Sequence, residues 1–142
     1  MSIIIDKERI EERLSKLKEY AAILKSYQQY SFKKFKKDAT LRGATERYFQ
    51  LSVECIIDIG EIIIANLGLR KPNDSRDVVD ILGENKIIPD KFAYYFGPVA
   101  GFRNILVHDY LDIDYKQVYG HLQNDLGDFD KFAKHIAKFL TK

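Results

Sequence analysis

Apolar residues return at every third or fourth position along most of this chain, and no stretch alternates over the length of a strand. Ile10, Leu14, Leu17, Ala21 and Leu24 mark one such face, and Leu41, Tyr48, Leu51, Ile56, Ile59 and Ile63 mark a second. Val118, Leu122, Leu126, Phe129, Phe132, Ile136 and Phe139 mark a third. That spacing matches the helical repeat, so each segment carries one apolar face along a helix. With no strand pattern and no internal repeat, such faces can leave water only by packing helix against helix. The expected fold class is therefore all-α, an up-and-down bundle with short additional helices.

Punctuation sets the expected boundaries. The first helix is predicted over 6–30. In "KKFKKDAT", Asp38 is placed to cap a second helix by accepting from a free N–H of its first turn. That helix runs from Ala39 to Gly68, which suits the left-handed residue that ends a helix. "RKPNDSRDVVDILGENKIIPDKF" is rich in turn formers and reads as a connector with one short helix over 76–82. Pro89 suits the first turn of another short helix ending near Phe96. The Gly97-Pro98 pair is expected to break the chain and restart it as a new helix. Asp114 followed by Gln117 resembles a capping box that opens a single last helix through Phe139.

At 142 residues the chain fits one domain, 1–142. Its 23 basic and 21 acidic side chains leave a formal charge of +2, so a polyanion partner would have to be recognised by a local patch. No apolar run approaches the roughly 18 residues needed to cross a bilayer. The start, "MSIIIDKERIEERL", turns charged too early for a signal peptide. One cysteine, Cys55, cannot form an internal disulfide and sits in "VECII" as a small core residue. These features lead us to expect a cytoplasmic protein.

The stretch "RNILVHDY" holds Arg103, His108 and Tyr110. Five helical steps separate the arginine from the histidine, about 500° of rotation, which leaves them about 140° apart on the helix. One ideal helix cannot present both on one face. They can converge if the helix ends near His108 and the guanidinium reaches around, or if a two-fold axis lets two copies complete one cleft. An arginine fork suits phosphate oxygens, imidazole titrates near neutrality, and tyrosine offers a ring and a hydroxyl. That set fits RNA cleavage by the ribose 2′-hydroxyl, with the imidazole moving protons. The same residues also fit an ordinary helix end, with Arg103 in a salt bridge, His108 near the terminus and Tyr110 half buried.

Lys33, Lys34, Lys36 and Lys37 around Phe35 are candidates for contacts to an RNA backbone, or else a solvated run. Glu54, Asp58 and Glu61 form one helical stripe, and Asp58 is the acid expected to orient Arg103. His121 and His135 lack a zinc-like spacing, so no metal is expected.

From "RIEERL" through "AGFRNILVHDY" to "DLGDFDKFAKHI", the chain resembles the HepT-like members of the HEPN superfamily. Their signature, R-x-x-x-x-H-x-Y, is met by Arg103, His108 and Tyr110, and Asn104 is the polar residue that often follows the arginine. The resemblance implies a HEPN-type bundle forming a homodimer and acting as a ribonuclease without metal or cofactor. Arg103 and His108 would be catalytic, with Asn104 and Tyr110 shaping the site. It further implies the toxin of a toxin–antitoxin pair, whose antitoxin is a minimal nucleotidyltransferase of the MntA type that adenylylates Tyr110. The alternative within the superfamily is a non-catalytic nucleotide-binding domain or partner subunit of such a nucleotidyltransferase.

Overall fold

In a computed structural model, residues 3–108 and 110–142 are described, with Tyr110 described in its backbone alone. The periodic apolar faces all become helices: α1 (Lys7–Tyr27), α2 (Phe32–Lys37), α3 (Ala39–Leu67), α4 (Ser75–Glu84) and α5 (Asp90–His108). A 3-10 turn over Tyr110–Asp112 leads to α6 (Tyr115–Asn124) and α7 (Leu126–Leu140). No strand occurs among the described residues. None of their helices is long and apolar enough to cross a membrane.

The long α3 is the central element, and α1, α4 and α5 pack against it. Its start and end follow the predicted chemistry. The Asp38 carboxylate accepts from Leu41 N at 3.0 Å, and Gly68 closes the helix at φ +64°. The Leu41 N–H, helped by Lys34, holds that carboxyl below the ordinary aspartate range.

Three boundaries differ from expectation. The first helix ends at Tyr27, and the lysine run forms its own helix, α2. Ser31 caps α2 by accepting from Lys34 N at 3.1 Å, and Phe35 is fully buried with its ring 5.4 Å from Tyr119. A polar cap and one buried phenyl ring suffice to order six residues. Gly97-Pro98 does not break α5. Pro98 is exposed, and so is Tyr94, whose carbonyl loses its partner to the missing N–H. On that face solvent can satisfy the freed oxygen, so the proline is tolerated. The predicted last helix is in fact two, divided at Asp125. Asp114 does cap α6, accepting from Lys116 N at 2.9 Å. No reciprocal bond from the Gln117 side chain occurs among the described residues, so the capping box is only half made.

Aromatic packing fixes α5 on the core. Phe102 meets Phe49 of α3 edge to face at 6.4 Å, while Phe96 stacks on Phe132 of α7 at 5.5 Å. Each ring is essentially buried, and burying one phenylalanine contributes about 1.5–3 kcal/mol. These contacts set the rotation of α5 about its axis, and with it the direction in which Arg103 leaves the helix.

Between α4 and α5 the backbones approach closely. A Cβ on Gly83 would lie 2.6 Å from the Cβ of Ala93, an atom that no rotamer change can move. Gly83→Ala should therefore lower stability, because overpacking costs about 1–3 kcal/mol against a helix-propensity gain of about 1 kcal/mol. Gly43→Ala, on α3 with open space around it, should raise stability by up to about 1 kcal/mol. Urea denaturation of the two variants checks the contrast. A Gly83→Ala midpoint at or above wild type would contradict this packing.

Candidate active site at the end of α5

Phe102 and Leu106, four residues apart, are the buried positions of the last two turns of α5. Arg103 follows Phe102 and so leaves the helix at the edge of its buried face, toward α3. Its side chain is 30% exposed, and Nη2 lies 3.6 Å from Oε1 of Glu54, itself 33% exposed. Gln50 of α3 donates to the same Oε1 at 3.1 Å, steadying that carboxylate. Nη1 makes a long contact of 3.4 Å to Oδ1 of Asn104, and Nε is buried without a protein partner among the described residues. At this degree of exposure the ion pair is worth about 0–1 kcal/mol. It orients the guanidinium more than it stabilises the fold.

The acid that meets Arg103 is thus Glu54 and not Asp58. Asp58 instead takes Arg13 of α1, at 3.4 Å. The reason is register. Phe102 sits opposite Phe49, so the next residue of α5 meets the following turn of α3, at Glu54, and Asp58 lies one turn beyond. Asp58 still lines the cavity of about 410 Å³ into which Arg103 opens, together with Glu54, Ile57, Glu61 and Ser75. A phosphate entering there would meet three carboxylates. An anion can reach Arg103 more favourably from the surface of α5.

His108 is the last residue of α5 and is exposed. Arg103 and His108 therefore leave the helix in different directions, as their 140° separation requires. Asp109 and the Tyr110 side chain lie outside the described residues, so the third member of "RNILVHDY" has only its backbone placed here, at the start of the 3-10 turn.

Continuity through Pro98 creates a surface that the sequence reading missed. Tyr94, Pro98, Gly101, Ile105 and His108 follow one another at steps of four and three, which is the spacing of a helix–helix contact stripe. Tyr94 is 73% exposed and neighbouring Tyr95 is 64% exposed, with Pro98 and His108 exposed on the same helix. The stripe was written in the spacing all along. A supposed break at Gly97-Pro98 concealed it.

The four lysines of α2 are all exposed, and α2 packs on α3 and α6. None of them lines the cavity into which Arg103 opens. Other sequence candidates are accounted for structurally. Burial pushes the Cys55 thiol up to about 11, which keeps it protonated near neutrality. His121 bonds Asp125 and packs on Phe102 at 4.6 Å, and His135 packs on Phe92 at 4.9 Å, with burial lowering its pKa. Among the described residues no three His, Cys, Asp or Glu side chains are grouped to hold a metal ion.

With this geometry established, comparison with known proteins gives a consistent result. Residues 10–136 match the model of the family described as Ribonuclease HepT-like. The chain is 30% identical over 131 residues to the tRNA nuclease HepT of Aphanizomenon flos-aquae, spanning 92% of this chain and 89% of that one. It is 33% identical over 102 residues to the mRNA nuclease HepT of Shewanella oneidensis, covering 72% and 77% of the two chains. Its fold superposes with a TM-score of 0.82 on the tri-AMPylated HEPN toxin of Shewanella oneidensis in complex with MNT antitoxin, at 28% identity and covering 92% of this chain and 97% of that one.

Proposed function

The chain belongs to the HepT-like ribonuclease family, and from that premise we propose that it is an RNA-cleaving toxin whose cleft is completed only when two copies pair along α5. The observation that carries this reading is the divergence of Arg103 and His108 on one helix end, beside an exposed apolar stripe that finishes at His108. A two-fold axis along that stripe covers Tyr94, Pro98 and Ile105 and brings Arg103 of one copy toward the partner's His108. Asn104 and Tyr110 line the same cleft.

In such a cleft the ribose 2′-oxygen attacks the adjacent phosphorus while His108 takes its proton. The bond to the 5′-oxygen breaks, and that oxygen receives a proton as it leaves. Arg103 balances the charge that builds on the non-bridging oxygens. The products are a 2′,3′-cyclic phosphate and a 5′-hydroxyl, and no metal takes part. The family membership and the nuclease names of two relatives support the activity. The tri-AMPylated relative bound to its antitoxin supports control by a minimal nucleotidyltransferase, and the tyrosine of the signature, Tyr110, is the acceptor we assign.

Cleavage should persist in excess chelator and leave cyclic or 3′-phosphate ends, read by end-specific labelling of the RNA. His108→Ala should lose about 10²- to 10⁴-fold in rate, as expected for a general acid–base group, with an unchanged circular dichroism spectrum. Arg103→Lys should also fail, because an ammonium does not reproduce the two-pronged grip on phosphate. Products with 5′-phosphate ends and an absolute magnesium requirement would refute the mechanism.

Adenylylation places a bulky phosphodiester anion beside Arg103, where it competes with the RNA phosphate for one guanidinium. Incubation with ATP, magnesium and the cognate nucleotidyltransferase should silence cleavage and add mass to the peptide bearing Tyr110. Tyr110→Phe should keep most of its cleavage and resist silencing. Modification of a different tyrosine would place the switch elsewhere.

A further inference from the structure

Twelve residues, 31–42, hold Lys33, Lys34, Lys36, Lys37 and Arg42 against the single acid Asp38, a local charge of +4. The whole chain carries +2, so the remaining residues sum to −2. An equal charge of +4 lies over 131–142, where Lys131, Lys134, Lys138 and Lys142 stand without an acid, so charge alone does not single out this corner. Helix stability accounts for part of the charge on α2, since Lys34, Lys36 and Lys37 stand in its last turn, where the negative end of the helix dipole favours a cation. Lys33 stands in the first turn, where a cation is disfavoured, and only Lys34 of the four has a carboxylate partner among the described residues, Asp38 at 3.1 Å.

An aromatic plate lies at the same corner. Arg42 donates to the Lys36 carbonyl at the end of α2, and its guanidinium sits over the Tyr115 ring at 4.5 Å from the centroid. Tyr115 is 37% exposed and is the first residue of α6. It stands seven positions after His108, so the two lie within about 25 Å of each other along the chain. The corner has little apolar surface to insert into a membrane, because Phe35 is buried and Phe32 packs on Tyr119 at 5.4 Å.

We propose that α2, Arg42 and Tyr115 form a docking shelf for single-stranded RNA: Lys33, Lys36 and Lys37 take backbone phosphates, and Tyr115, held in place by Arg42, stacks an unpaired base. Lysines beside an aromatic face are the combination by which proteins hold single strands without reading sequence. The shelf feeds RNA toward the turn that follows His108, and so rests on the reading of the chain as a ribonuclease. Arg42 is a positioning residue that acts through Tyr115.

The test measures binding of a labelled single-stranded RNA of about twelve nucleotides, within the span such surfaces hold, to His108→Ala protein across a salt series. Adding Lys33→Gln, Lys36→Gln and Lys37→Gln should flatten the slope of log affinity against log salt by about 2 and weaken binding on the order of 100-fold near 0.1 M salt, since each phosphate contact on a single strand contributes about 0.7. Tyr115→Ala should weaken binding about 5- to 100-fold with the slope unchanged, as loss of one stacked base requires. Tyr115→Phe should bind normally, and Arg42→Met should fall between the two. Lys138→Gln with Lys142→Gln, remote from α2, should have no effect. The shelf is overturned if the triple lysine variant keeps its slope, or if the remote pair flattens it equally. In His108-intact protein the two readings separate. A shelf without cleavage gives salt-dependent binding and no cutting, whereas cleavage without the shelf leaves KM unchanged in the triple variant.

Discussion

The edge-to-face contact of Phe102 on Phe49 decides the rotation of α5, and the proposed chemistry depends on that rotation. One helical residue corresponds to about 100° of turn. Had α5 buried Arg103 and exposed Phe102, the guanidinium would have been desolvated and removed from any anion at the surface. With Phe102 inside, Arg103 emerges where Glu54 can hold it, and His108 emerges in a different direction, exposed at the end of α5. Phe96 on Phe132 gives α5 a second anchor six residues earlier, which fixes the directions in which both residues leave the helix. In the proposed dimer, a second copy supplies what this spacing denies to one helix.

Charge reinforces that division. The cavity beneath Arg103 is lined by Glu54, Asp58 and Glu61, which disfavours any anion arriving from the α3 side. Four lysines are gathered on α2, which packs against α3 and α6, so a polyanion meets a local basic patch there despite a chain that is nearly neutral overall.

Much of this could be read from residue spacing. The central helix, with its Asp38 cap and Gly68 terminus, follows from local chemistry that any neighbouring structure would respect. The helical class follows from the period of the apolar residues. What eluded the sequence depended on tertiary contacts. Pro98 breaks a helix unless the freed carbonyl faces water, and only the packed structure tells which way it faces. Division of the last helix at Asp125 has no proline to announce it, and the apolar spacing runs on across the join. The choice between Glu54 and Asp58 as the partner of Arg103 depends on where α5 crosses α3, which no intrahelical pattern contains. Arg103 and His108 were singled out by the family resemblance, because spacing alone left both a site and an ordinary helix end open.

The central claim is that Arg103 of one copy works with the partner's His108, and subunit mixing tests it most directly. Arg103→Ala and His108→Ala proteins, each inactive alone, should regain cleavage when mixed and allowed to exchange. Half the dimers would then be mixed and one of their two clefts intact, giving about a quarter of wild-type activity. Heterodimers verified by native mass spectrometry that remain inactive, or full activity in a proven monomer, would contradict the account.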